Sequence, residues 1–165
     1  MKKVFFILIA ILFISTTTVD AQKYGHITSQ EIFAVMPGAD SIPVKLKAFE
    51  AELTEVYTTM VSEFQTKKEK FDQEAGTMSQ SVRKIREDEL VNLQNRIMEF
   101  QESAQNDLQE KQIELMQPFQ EKITEAIKAV AKENGYAYIF DTATLLYYDG
   151  GEDVSDLVKK KLGIK

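Results

Sequence analysis

Glycine and proline are absent from residues 44–75 and again from 77–117, so two long stretches carry nothing that stops a helix. In the first, Leu46, Phe49, Leu53, Val56, Met60 and Phe64 recur three or four residues apart, with mostly Lys, Glu, Thr and Gln between them. In the second, Leu93, Ile97, Phe100, Ala104 and Leu108 repeat the spacing, and Leu115, Phe119, Ile123, Ile127 and Val130 resume it. Each set is one narrow apolar stripe, which predicts two helices packed on each other in coiled-coil fashion. Gly76 is the turning point, because Thr77 and Gln80 have the spacing of a capping box that starts a new helix. At about 1.5 Å per residue the outgoing helix is on the order of 48 Å long and the return helix, from about 79 to 134, on the order of 84 Å. Elements of that length do not fit inside a globule. Pro118 either bends the return helix or breaks it in two, and Asn134-Gly135 ends it.

The ends of the chain have a different character. Lys2 and Lys3, an apolar run from Val4 to Ile14 and a polar stretch closing on Val19-Asp20-Ala21 have the three zones of an export signal, with cleavage expected after Ala21. The apolar run is about half the length a membrane-spanning helix needs. Removing residues 1–21 takes two lysines and one aspartate from a formal charge of −6 and leaves −7. The chain has no cysteine, which excludes disulfides, thiolate metal sites, a thiol nucleophile and a lipid-modified N-terminal cysteine.

After Gly135, Tyr136–Asp141 and Leu145–Asp149 are short aromatic-rich runs around Thr142-Ala143-Thr144 and predict a β-hairpin. A third strand is expected at Tyr24–Thr28. Thr28 and Glu31 have capping-box spacing for a short helix through Val35, and Asp153 can cap a last helix carrying Val154, Leu157, Val158 and Leu162. The fold class is therefore α+β, mainly α: a long antiparallel helical hairpin with its tip near 76, spanning 44–118, projects from a small β-rich body formed by 22–43 and 119–165. Such a body buries little apolar surface alone and is expected to oligomerise, with Ile27, Ile32, Tyr138, Phe140, Leu146 and Tyr148 as its candidate residues.

In this order around a helical hairpin, Gly25-His-Ile-Thr-Ser-Gln-Glu-Ile32, Gly135-Tyr-Ala-Tyr-Ile-Phe-Asp141, Leu146-Tyr-Tyr148 and Asp153-Val-Ser-Asp-Leu-Val158 resemble the OmpH/Skp family of periplasmic outer-membrane-protein chaperones. The resemblance spans the whole chain after Ala21. It implies a homotrimer with a β-rich body and three helical tentacles around a cavity that encloses unfolded outer-membrane β-barrel proteins without ATP. The departure is charge: familiar members of the family are strongly basic, whereas this chain is acidic.

A chaperone of that kind needs adaptable apolar contacts, which flexible Met and aromatic side chains supply. Met60, Phe64, Phe71, Met78, Val82 and Ile85, in the distal half of the hairpin, are the candidate client contacts; the alternative is that they only hold the two helices together. Lys67, Lys68 and Lys70 opposite Arg83, Lys84 and Arg86 form a basic belt near the tip, or a solvated face neutralised by Glu69, Asp72, Glu74, Glu87, Asp88 and Glu89. No catalytic constellation, metal-ligand pair or phosphate-binding glycine loop is present, and the single histidine, His26, reads as structural. A non-enzyme without cofactor, metal or nucleic-acid partner is expected. Membrane contact is at most transient, because a net −7 is repelled by anionic lipid. The other functional class is an adaptor coiled coil that binds one folded envelope partner.

Overall fold

The structure, a computed structural model, describes residues 22–164; the export-signal and cleavage readings over 1–21 lie outside the described residues. In chain order the elements are β1 (Lys23–Ile27), α1 (Ser29–Ala34), α2 (Ser41–Glu74), α3 (Gln80–Asn134), β2 (Tyr136–Asp141), a 3-10 turn (Thr142–Thr144), β3 (Glu152–Asp153) and α4 (Ser155–Lys161).

The helical hairpin is α2 and α3. α2 begins three residues before the expected 44, with Pro43 in its first turn, where the missing N–H would have had no intrahelical acceptor. The turn at Gly76 is built differently from the expected capping box. Thr77 donates its hydroxyl to the Glu74 carbonyl at 2.9 Å, and Ser79 caps α3, its Oγ accepting from the Val82 N–H at 3.4 Å. α3 then runs for 55 residues, about 82 Å, and Pro118 does not break it. Gly135 closes it in the left-handed region at φ 71°, as its sequence position predicts. Along the seam Leu46, Phe49, Leu53, Met60 and Phe64 are half-buried against α3, but Tyr57, not Val56, completes the row. Both lie one turn beyond Leu53, and the larger ring is the one turned inward.

The sheet departs most from expectation. Its order is β2-β1-β3 and both pairings are parallel, so there is no β-hairpin after α3. A two-residue hairpin turn needs residues that accept positive φ. Thr142-Ala143-Thr144 instead forms a helical turn, started by Asp141 Oδ1 accepting from the Ala143 N–H at 3.0 Å. Leu145–Asp149 then passes without joining the ladder, and Glu152–Asp153 supplies the third strand on the far side of β1. Gly25 is required by a close approach in the central strand: a Cβ there would lie 3.1 Å from Val154 Cγ1 and 3.3 Å from the Tyr136 ring.

One face of this sheet packs on helix. Ile27, Ile32, Val154 and Val158 are fully buried, with Ile123, Ala126 and Val130 of α3 closing the same core, which draws only on residues 27–39 and 119–164. The hairpin between them adds Ile42 and Leu93 as buried residues, and its other apolar side chains are half-buried or exposed. Thr28 does not cap α1 with its side chain; its hydroxyl meets that of Thr142 at 3.0 Å and ties the end of β1 to the turn after β2.

Asp153 starts α4 one residue before the geometric N-cap, Val154, by accepting from the Ser155 N–H at 2.9 Å. Hydrogen bonds from the Ser155 hydroxyl and backbone hold its carboxyl below the usual carboxylate range. A depressed folded-state pKa stabilises above the unfolded value of about 3.9 and is lost as pH falls through the folded one. Asp153→Ala is expected to cost about 1 kcal/mol at pH 7. Paired urea melts at pH 7 and pH 3 should show the gap to the native chain shrinking in acid.

Candidate functional site

The body and the hairpin each present surface that their own packing leaves open. On the body it is the sheet face opposite the core. β1 alternates, sending Gly25 and Ile27 inward and Tyr24 and His26 outward. Across the strand pair Tyr24 stands opposite Tyr138 and His26 opposite Phe140. Tyr24 and Tyr138 stack at 5.9 Å between ring centroids, Tyr138 and Phe140 also at 5.9 Å, and Tyr148 tilts over His26 at 4.9 Å. Among the described residues no helix covers this row: Tyr138 is 56% and Phe140 41% exposed, Leu146 projects fully into solvent and Tyr147 largely so. A parallel strand pair is normally covered on both faces, so this side is the unusual one. Of the six residues expected to build an oligomer, Tyr138, Phe140, Leu146 and Tyr148 lie on or beside this open surface. Ile27 and Ile32 do not, being consumed by the protomer's own core. Apolar character alone could not separate the two groups, because both faces of the strands are apolar.

At the rim of the sheet Lys23 Nζ pairs with Glu152 at 2.8 Å and sits 4.1 Å from the Tyr136 ring centroid. The hydrogen bond to Glu152 raises the lysine pKa, and the same contact lowers that of the glutamate. This pair fastens β3 to the start of β1.

On the hairpin, Met60, Phe64, Phe71 and Met78 are half-buried in the α2/α3 seam, while Val82 and Ile85 are exposed near the tip, Ile85 at 58%. The six candidates therefore divide between seam and surface. Other exposed apolar side chains lie outside the predicted stripe: Val91 and Ile113 on α3, and Met98, which flanks the seam. They fall outside the three-and-four spacing, and that is the signal that could have found them. Midway along the hairpin a cleft of about 580 Å³ opens between the helices, walled by Leu53 and Tyr57 of α2 and Phe100, Ala104 and Leu108 of α3, with Met98 beside it.

The basic belt is mostly paired within its own helices. Lys67 meets Glu63 at 3.0 Å, Lys68 meets Asp72 at 2.6 Å, Lys84 meets Asp88 at 2.8 Å and Arg86 meets Glu89 at 2.8 Å. Lys70 and Arg83 are the members without an ion pair among the described residues. Exposed pairs of this kind contribute a few tenths of a kcal/mol each at most, roughly 0.3–0.5 for helical neighbours. Their consequence is electrostatic: the belt's positive charge is locally neutralised. Among the described residues no group of three or more His, Asp or Glu could hold a metal ion, and no helix is long and apolar enough to cross a membrane.

Comparisons with known proteins agree with this architecture. Residues 23–162 match the family model described as outer membrane protein (OmpH-like). The chain is 25% identical over 149 residues to the chaperone protein Skp of Yersinia enterocolitica, covering 90% of each chain. It is 24% identical over 153 residues to that of Pectobacterium atrosepticum, covering 92% of each. The fold superposes on a crystal structure described as an OmpH-like outer membrane chaperone of Caulobacter crescentus with a TM-score of 0.67 at 12% identity, covering 90% of this chain and 88% of that one.

Proposed function

We propose a function from the premise that this chain belongs to the OmpH-like outer membrane protein family: it is a periplasmic holdase that keeps unfolded outer-membrane β-barrel proteins from aggregating, without ATP. It is a chaperone-family protein and not an enzyme. The observation that carries the reading is the division of apolar surface just described. A hairpin that buries only part of its apolar side chains, far from the core that folds the body, offers weak contacts of no fixed geometry.

The open aromatic face of the sheet supports a homotrimer in which residues 22–43 and 119–165 form the body and 44–118 the tentacle. Three hairpins projecting from one body would surround a space in which a client is held away from others. Residues 1–21 would deliver the chain to the periplasm and be removed after Ala21.

The test dilutes a urea-denatured outer-membrane barrel protein into buffer with and without the purified protein, and follows light scattering. Suppression near one trimer per client, without nucleotide, is expected. Val82→Ser with Ile85→Ser, both exposed, should weaken that suppression several-fold while leaving the circular-dichroism helix signal unchanged. A trimer that leaves scattering untouched would replace the holdase with an adaptor for a folded envelope partner.

A further inference from the structure

The hairpin's charge is distributed unevenly. Between residues 48 and 66 α2 has no Lys or Arg, but it carries Glu50, Glu52, Glu55 and Glu63. Between 97 and 110 α3 likewise has none, and it carries Glu99, Glu102, Asp107 and Glu110. These two stretches lie side by side, since Glu50 to Tyr57 and Met98 to Leu108 line the same cleft. Of the eight carboxylates, Glu63 is paired, with Lys67; the other seven make no ion pair among the described residues. Nearer the tip cations and anions are equal in number, so unpaired charge of one sign, negative, gathers in the middle of the hairpin.

The cleft opens among those carboxylates. Its volume of about 580 Å³ falls within the range of roughly 300–1,000 Å³ that takes a small ligand or several side chains. Leu53, Tyr57, Phe100, Ala104 and Leu108 form its apolar part, Met98 in its wall is 53% exposed, and Glu50 and Glu102 line it together with Thr54, Gln101 and Gln105. An occupant must therefore bring a large apolar side chain and tolerate unpaired carboxylates around it. The hairpin of a second copy carries the same carboxylates and is repelled from the cleft, whichever face joins the copies. An extended segment does well, because its side chains alternate: one set enters the cleft while its neighbours turn back to the carboxylates. Lys or Arg at those neighbouring positions is attracted within a Debye length of about 10 Å, whereas Asp or Glu there is repelled.

We infer that the mid-hairpin cleft selects extended client segments in which large apolar side chains alternate with Lys or Arg. This rests on the holdase reading and names the kind of segment the holdase prefers.

The test is fluorescence anisotropy with three labelled twelve-residue peptides, alternating Phe–Lys, Phe–Glu and Ser–Lys, titrated with the full protein. The Phe–Lys peptide is expected to bind at least ten-fold more tightly than either of the others, with the advantage over Phe–Glu shrinking several-fold as salt is raised towards 1 M. Glu50→Gln with Glu102→Gln should weaken Phe–Lys binding at least three-fold and leave Phe–Glu binding no weaker. Because the chain has no cysteine, Met98→Cys gives a single site for an environment-sensitive fluorophore, and Lys122→Cys, exposed on the body end of α3, gives a control. The Phe–Lys peptide should shift emission at Met98→Cys and not at Lys122→Cys. Equal affinity for Phe–Lys and Phe–Glu, a preference unchanged by the double substitution, or a silent label at Met98→Cys would each overturn the inference. If any of these occurs while barrel-protein aggregation is still suppressed, the holdase reading stands and the cleft preference falls. Loss of aggregation suppression with the peptide preference intact would overturn the holdase reading instead.

Discussion

Tyr138→Glu together with Phe140→Glu is expected to convert the proposed trimer into monomers that keep their helices. Both side chains stand on the uncovered face of the sheet, stacked in one row with Tyr24, and neither contributes to the protomer core. Truncating one such aromatic anchor at an interface costs on the order of 2 kcal/mol or more, and placing a carboxylate there adds the cost of desolvating a charge. Two substitutions at each contact therefore weaken self-association by at least about a thousand-fold, since every 1.4 kcal/mol is a factor of ten. Sedimentation equilibrium should report the mass of one chain where the native protein reports three, with the helical circular dichroism unchanged. A double variant that remains trimeric would show that copies meet elsewhere.

Ile32→Ala should have the largest effect on stability. Ile32 has no exposed surface, and it joins α1 to the core formed by α3 and α4. Deleting a fully buried isoleucine beyond its β-carbon costs about 2–5 kcal/mol, because a cavity remains where the surroundings cannot collapse. For a chain of this size each kcal/mol corresponds to about 2–4 °C, so a fall in Tm of about 10 °C is expected by differential scanning calorimetry. Leu53→Ala, in the half-buried hairpin seam, should cost only about 1 kcal/mol, because that side chain stays partly hydrated and its loss widens a cleft already open to water. Equal effects at the two positions would contradict the division into a well-packed body and a loosely packed hairpin. For the proposed holdase that division matters, since a seam that is cheap to open can exchange its contacts for those of a client.

The hairpin was legible in the sequence because its causes are local. Two stretches without glycine or proline, each with one apolar stripe, leave little besides a pair of long helices; Gly76 stands at the break between the stripes, and Gly135 takes the left-handed backbone that ends the second helix. Cap details were less legible. Thr77 and Ser79 both suit a cap, and the choice between them depends on which hydroxyl the turn brings to the free N–H groups of α3. Tyr57 in place of Val56 is a difference of the same kind, decided by the space between two helices and not by the spacing on one.

What the sequence determined by itself is the helices, the strands β1 and β2 and the absence of thiol chemistry, since helical periodicity, breakers and composition act within a few residues of where they are read. What only the tertiary structure decided is which apolar residues are spent on the protomer. Ile27 and Phe140 are both apolar and lie on paired strands of one sheet, yet one is buried and the other open, because α1, α3 and α4 all pack on the same face. Strand order belongs to the same class. Glu152–Asp153 joins β1 while the more strand-like Leu145–Asp149 does not, because the turn at Thr142–Thr144 carries the chain away from the β2 edge before it can pair. Sequence pattern gives each residue its tendency to be buried; only the packing of distant segments settles what covers it.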